Sequence, residues 1–470
     1  MNPVSMRRMM HFRNTFELTQ RCVQNIRVWI FAHTEKDVGI ILFVILLALI
    51  LRVPFLSHPR ETLFDEVVYA NFVVHIIQGV PFFDIHPPFA RILFAEVANL
   101  VPFHAEAIPI AINQSFQNFP YVLLRFFTAF FGVLLAPLIY MVGRAVGYIP
   151  RIAIYPALFV VFDNALVLYS RAILPDTILL VLAFSGFLAA FAATKEQAGL
   201  KRRLFVFVSA CLLGLAVSIK WTALGVFGVV VLVFFLSRMY REIVWSTFTA
   251  IAIYVLIFTS FLFYFPQGGR ADYVLPPYNV PIVTGLEFPE SFAPQTIAPF
   301  LAAYHRAMLE TNRDVEITEK TLKANGPLSW PVAKSSIAFW KGGDGKQIIL
   351  MGNSILWFAA FFTLLFELAW IALHFLRERR WPINRTESIL LAGYTLNYIP
   401  FFFIDRSMYL YHYFIALLFL FLLVPRIAPR IVDCITCVSG DRLFAQTLAC
   451  FVGFLMLLNF FLLAPTTYGF

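Results

Sequence analysis

Charge is what this sequence is short of. Only 13% of its 470 residues are Asp, Glu, Lys or Arg, against 60% hydrophobic, too little polar side chain to surface a water-soluble globule of that length. Cysteine is scarce too. Cys22, Cys211, Cys434, Cys437 and Cys450 are scattered, mostly in or beside apolar runs, which excludes a disulfide framework. The Cys434/Cys437 pair lacks the second half of a zinc site. No internal repeat of fixed period occurs, so a symmetric transporter built from two related halves is not suggested. A cleavable leader is not expected either, because the first apolar run is too long for a signal core and shows no small-residue cleavage site.

What is present fits a bilayer. Apolar runs able to cross about 30 Å of hydrocarbon fall near 38–56, 119–142, 152–169, 174–193, 204–219, 221–237, 243–265, 349–375, 388–404, 409–424 and 443–464. The chain therefore reads as an all-α polytopic membrane protein of about eleven transmembrane helices. Its 54 Phe residues are tolerated there because a bulky apolar side chain facing lipid needs no polar cover. A net charge of +9 raises nucleic acid as a partner, but the cations sit mostly in short connections between spans, where the positive-inside rule puts them. With the N-terminus in the cytoplasm, Arg144 and Arg151, Lys195 to Arg203, Arg238 and Arg241, Arg377 to Arg385, and Arg426 and Arg430 all fall on cytoplasmic connections.

That topology divides the chain into four parts. Residues 1–36 form a cytoplasmic basic amphipathic segment, with Arg7, Arg8, Arg13, Arg21 and Arg27 set among apolar residues as on a helix lying on an anionic leaflet. An N-terminal membrane domain covers 37–265 and carries the first outer loop, 57–118; a second outer loop, 266–348, leads to a C-terminal membrane domain, 349–470.

The chemistry gathers in the first outer loop. Asp65 and Glu66 are adjacent carboxylates just beyond the first span. They read either as charge complementing a helix dipole or as a general base where a lipid-linked substrate meets an aqueous acceptor. The next element, Phe82-Phe83-Asp84-Ile85-His86-Pro87-Pro88-Phe89-Ala90-Arg91, puts an Asp, a His and a cation around a stiff diproline turn. Such a turn holds Asp84 and His86 in one geometry, as preorganised catalysis requires.

The pairing of Phe-Asp-Glu-Val with Phe-Phe-Asp-Ile-His-Pro-Pro resembles the protein O-mannosyltransferase family, membrane glycosyltransferases of the GT-C type. The likeness continues through Ser170-Arg171-Ala172-Ile173-Leu174-Pro175-Asp176, Ser218-Ile219-Lys220-Trp221, Leu328-Ser329-Trp330-Pro331 and Met408-Tyr409-Leu410-Tyr411-His412-Tyr413. Two departures stand out: Arg91 replaces the family's usual Lys, and 266–348 has no room for the β-trefoil domain carried by eukaryotic members.

The resemblance implies an inverting transferase that moves mannose, or a related hexose, from a polyprenyl or dolichyl monophosphate to Ser/Thr hydroxyls of proteins on the extracytoplasmic side. It makes Asp65 the base, with Glu66 orienting base or acceptor. Arg171, Lys220 and Arg406 stand at outer span ends and become partners of the donor phosphate, against ordinary snorkelling. Asp84, His86, Arg91, Trp330 and His412 become pocket residues, with structural readings for Trp330 and His412 left open. No metal or further cofactor is expected. The lack of an inserted outer domain leans toward a prokaryotic plasma membrane. A lipid or glycan acceptor, as in aminoarabinose transferases, is the nearest alternative. A lipid-handling or transport protein without covalent chemistry is the third, disfavoured because the charges cluster at one interface.

Overall fold

The computed structural model describes residues 35–103, 111–275, 280–314, 326–404 and 408–470. The basic segment expected over 1–36 lies outside them except for its last two residues, which open the first helix. Every apolar run picked out above is helical here. The helices of the N-terminal half are α1 (Glu35–Arg52), α2 (Glu66–Gln78), α3 (Phe89–Ala98), α4 (Tyr121–Ala145), α5 (Pro150–Val161), α6 (Asn164–Ser170), α7 (Asp176–Lys195), α8 (Leu200–Val217), α9 (Leu224–Leu236) and α10 (Tyr240–Leu262). After the second outer loop come α12 (Ser354–Glu378), α13 (Arg385–Leu396), α14 (Phe414–Ser439) and α15 (Arg442–Tyr468).

Among the described residues, six helices are long and apolar enough to cross a membrane, seven if the bent pair α5–α6 counts as one span. The other expected spans are shorter or carry charge: α9 has 13 residues and α13 has 12, while α8 opens on Lys201-Arg202-Arg203. The run 152–169 is not one straight helix. Asp163 accepts from the Leu166 N–H at 2.9 Å and so caps a new helix, turning α6 by 63° from α5. The run near 409–424 is longer than expected, since α14 continues to Ser439 through Pro425 and Pro429.

Burial sorts the helices. Leu417 through Leu422 of α14 and Ala183, Phe184 and Phe187 of α7 are fully enclosed. By contrast α10 exposes Val244, Trp245 and Phe248, and α15 exposes Phe454, Phe461 and Leu462, an apolar rim suited to lipid. Where α4 meets the turn after α6, only glycine fits: a Cβ on Gly132 would stand 2.4 Å from the Ser170 Cβ. That close approach brings the Ser170–Pro175 segment under the first outer loop.

Charges lie in two layers. At one end Arg144 pairs with Asp37 at 2.8 Å, and Arg430 bridges Glu367 at 2.7 Å and Glu387 at 2.8 Å. At the other stands Arg125, also on α4, nineteen residues before Arg144 and so roughly 28 Å away along the helix axis. The layer around Arg125 is roofed by described residues of the segment 266–348. There an antiparallel hairpin, β1 (Gly269–Leu275) with β2 (Val280–Phe288), precedes an amphipathic helix, α11 (Pro294–Asp314). A second hairpin, β3 (Ile337–Lys341) with β4 (Gln347–Leu350), closes over the first loop, with the Phe64 N–H donating to the Phe339 carbonyl at 2.9 Å.

Candidate active site

Glu66 is the keystone of the first loop rather than an open carboxylate. It is fully buried and gripped by Arg125, whose Nε reaches Oε1 at 2.8 Å and Nη2 reaches Oε2 at 2.7 Å. The Leu63 N–H donates to Oε2 and the Ile173 N–H to Oε1, both at 2.8 Å. All four strong acceptor directions are filled, so the loop before α2 is tied at once to α4 and to the turn before α7. Arg125 also donates to the carbonyls of Leu56, Pro59 and Glu61, gathering the chain that leaves α1.

This anchoring leaves Asp65 at the mouth of α2, half-buried, with its carbonyl accepting from the Val68 and Tyr69 N–H groups. Burial pushes its carboxyl up to about 7; the nearby Lys220 ammonium opposes the rise and Asp176 adds to it. Lys220 stands at a break between α8 and α9, in extended backbone, with Nζ 2.7 Å from Asp176 Oδ2 and 5.0 Å from the centre of the Tyr411 ring. The Tyr169 hydroxyl donates to the same Asp176 oxygen at 3.0 Å. A small cleft opens here, lined by Asp176, Leu179, Thr222, Tyr411 and His412.

The diproline turn supports that break. The Phe89 N–H, the first after Pro87-Pro88, donates to the Ser218 carbonyl at 3.0 Å, so α3 starts directly on the segment that ends in Lys220. Asp84 and Arg91 form a buried ion pair inside the motif, and Arg91 also donates to the His86 and Pro87 carbonyls while its guanidinium lies 5.3 Å from the Phe72 ring centre. His86 is half-buried and joins this turn through its carbonyl. Arg91 thus uses both terminal nitrogens at once, set apart on a planar fork that a lysine's single ammonium does not reproduce. Arg91→Lys is expected to lower thermal stability and cut activity at least ten-fold; activity within two-fold of the parent would show that only the charge matters.

The other expected residues separate into two groups. His412 lines the cleft and stacks on Trp330, which is fully buried one layer behind it, ring centres 6.2 Å apart. Arg171, expected at a phosphate, instead donates to the carbonyls of Arg52 at 2.8 Å, Pro54 at 2.7 Å and Phe55 at 3.3 Å, with its guanidinium over the Tyr468 ring. Those contacts fasten the exit of α1. Arg406 lies outside the described residues.

Asp176, Tyr169, Tyr411 and Arg125 belong to the site and were not singled out as site residues from sequence. A signal existed for Asp176, a carboxylate directly after a proline at the head of an apolar helix, inside a block already noted. Arg125 is marked in the sequence only as a cation near the start of an apolar run.

Together these elements make a half-open carboxylate of raised pKa facing a buried ammonium held by a second carboxylate. Such a site can accept a proton from a hydroxyl and neutralise an anionic leaving group. Among the described residues no group of three or more His, Cys, Asp or Glu side chains is placed to hold a metal ion.

The comparisons with known proteins bear on this arrangement. The family profile described as dolichyl-phosphate-mannose-protein mannosyltransferase matches residues 42–269, and that of the C-terminal four-transmembrane region of protein O-mannosyltransferase matches 299–470. The chain is 30% identical over 195 residues to dolichyl-phosphate-mannose–protein mannosyltransferase 4 of Candida albicans, and 38% identical over 128 residues to mannosyltransferase 1 of Saccharomyces cerevisiae. These matches take in 41% and 27% of this chain but only 26% and 16% of the relatives' lengths. In fold, the chain is similar to the S. cerevisiae protein O-mannosyltransferase Pmt1–Pmt2 complex bound to the sugar donor, with a TM-score of 0.75 at 18% identity over 93% of this chain and 90% of that one. The Archaeoglobus fulgidus oligosaccharyltransferase is more distant, with a TM-score of 0.55 at 15% identity, covering 93% of this chain and 57% of that one. Two profiles of one family therefore cover both membrane domains, including the acidic pair, the diproline turn and the lysine break, and the chain belongs to the protein O-mannosyltransferase family with a GT-C fold.

Proposed function

We propose that this protein transfers mannose, with inversion, from a polyprenyl or dolichyl monophosphate to Ser/Thr hydroxyls of protein acceptors at the outer face of a membrane. One observation carries the reading: Asp65, half-open and pushed up to about 7, stands near enough to the Lys220 ammonium to feel its charge, and Lys220 is held by Asp176 beside the rings of Tyr169 and Tyr411. Asp65 takes the proton of the acceptor hydroxyl as its oxygen attacks the anomeric carbon, and the bond from that carbon to the phosphate oxygen breaks. The departing phosphate needs a cation more than a proton, and Lys220 provides one once it turns from Asp176. Displacement of this kind needs no metal in principle.

Glu66 and Arg125 position Asp65, and Arg171 fastens the same loop from below. Arg406 keeps its place as a proposed second phosphate partner. His412, backed by Trp330, and His86 form proposed walls of the substrate pocket, with Asp84 and Arg91 shaping the turn between them. The even placement of Lys and Arg on the opposite connections supports an extracytoplasmic site and an eleven-pass topology. A prokaryotic plasma membrane rests on the short second outer loop alone, since the two mannosyltransferases named above as relatives in sequence are fungal.

The test is transfer of radiolabelled mannose from polyprenyl-phosphate-mannose to a Ser/Thr-rich peptide by the purified protein. Transfer supports the reading; turnover on a lipid or glycan acceptor with none on peptide would replace the acceptor. Lys220→Ala is expected to raise the donor KM at least ten-fold with little change in the acceptor KM. A flat donor KM with a raised acceptor KM would remove Lys220 from the phosphate.

A further inference from the structure

Helix α11 of the second outer loop lies far from Asp65 in sequence, yet its inner face touches both the segment before the diproline turn and, on α10, the tyrosine that holds Trp221. Its Tyr304 hydroxyl accepts from the Asp84 N–H at 3.2 Å, and Asn312 donates to the Ile85 carbonyl at 3.1 Å. Between them His305 faces α10. The Trp221 indole N–H donates to the Tyr254 hydroxyl oxygen at 3.0 Å, and Tyr254 bonds to His305 Nε2 at 2.9 Å. His305 Nδ1 is 2.6 Å from the Leu301 carbonyl, an acceptor only. That contact puts the proton on Nδ1, makes Nε2 the acceptor, and gives the chain one direction: indole to phenol to imidazole to carbonyl.

Trp221 is the residue after Lys220, in the short turn that restarts the helix. The Ser218–Trp221 break is therefore held from two sides, by the Phe89 N–H of the diproline turn and by the side-chain relay that ends on α11. A break in a helix has lost its own backbone ladder, so external partners decide where its side chains point.

We infer that His305 is a positioning residue: through Tyr254 and Trp221 it sets the Lys220 segment, so that the second outer loop governs how the donor phosphate is held. The inference rests on the reading of Lys220 as the phosphate partner, and its physical core, the coupling of α11 to residues 218–224, is independent of it.

The experiment compares His305→Ala, His305→Gln and Tyr254→Phe with the parent in the full-length protein. His305→Ala is expected to raise the KM for polyprenyl-phosphate-mannose about five-fold, the equivalent of one lost hydrogen bond, with the acceptor KM unchanged. Glutamine, whose amide oxygen accepts from Tyr254, restores most of the loss. Tyr254→Phe reproduces the alanine effect, and the double variant is no worse than either single one, because both interrupt one chain. Amide hydrogen exchange over 218–224 is measured alongside and is expected to quicken in His305→Ala while the end of α8 near Leu200 stays as in the parent. Unchanged exchange over 218–224 overturns the inference, whether or not the parent transfers mannose. Quickened exchange with an unchanged donor KM in an active enzyme also overturns it. A parent without transferase activity refutes the proposed reaction instead, and the exchange comparison then decides the coupling by itself.

Discussion

Asp65→Asn leaves a folded protein whose transfer rate is about a hundred- to ten-thousand-fold lower, the range a positioned general base contributes. The amide keeps the size and the hydrogen-bonding reach of the carboxylate but cannot accept the hydroxyl proton. Because burial holds the Asp65 carboxyl at about 7, the parent should lose activity on the acid side, with roughly a tenth of the base form left at pH 6. The sign for stability is the opposite. A carboxyl of raised pKa keeps a proton in the fold that the unfolded chain releases near pH 4, so ionising it destabilises the protein as pH rises through about 7. Asp65→Asn should therefore melt above the parent at pH 8, with the difference closing as pH falls toward 4. Equal or lower melting at pH 8 would show that the carboxylate is stabilised in the site and would remove it as a base of raised pKa.

How much of this was legible beforehand follows from what each residue contacts. Spans are read from long apolar runs, and every one chosen is helical. Their interruptions are harder to read, because the break at Asp163 is made by one side chain capping its own backbone, and the Asp163-Asn164 pair is too short to lower the mean hydropathy of the run below that of a span. Asp65 is proposed because an acidic pair at an interface needs a reason, and Lys220 because a cation interrupts an apolar stretch. Arg171 resembles Lys220 by both criteria, yet three carbonyls of the α1 exit occupy its guanidinium. Sequence shows the charge and not its partners. Asp176 was hidden for the complementary reason: an acid at a helix start has an ordinary explanation in the dipole, and only the fold reveals Lys220 and Tyr169 on the same oxygen. The contacts of α11 are more remote still, since Tyr304 meets Asp84 across 220 residues of sequence and His305 meets Tyr254 across the β1–β2 hairpin.

Removing either member of the Glu66–Arg125 pair should cost about 3–5 kcal/mol of stability, because each leaves the other charge buried without its counter-ion. Both side chains are essentially inaccessible to water, and the bond is bidentate. The two losses should differ in kind. Glu66→Gln keeps one oxygen for the Leu63 or Ile173 N–H and a neutral face toward Arg125, so the loop before α2 loosens but the α1 exit stays gathered. Arg125→Ala releases Glu66 and also the carbonyls of Leu56, Pro59 and Glu61, together with the rings of Phe116 and Tyr121 that lie against the guanidinium. Arg125→Ala should accordingly melt lower than Glu66→Gln. Replacing both residues by leucine should recover part of the deficit, as apolar packing substitutes for a buried ion pair, but not the part due to the three carbonyls. Thermal melts of the four proteins in one detergent measure this directly. Single variants that melt within a degree or two of the parent would mean that water reaches the pair. In that case Asp65 owes its position to the β3–β4 hairpin over Phe64 and not to its neighbour in the sequence.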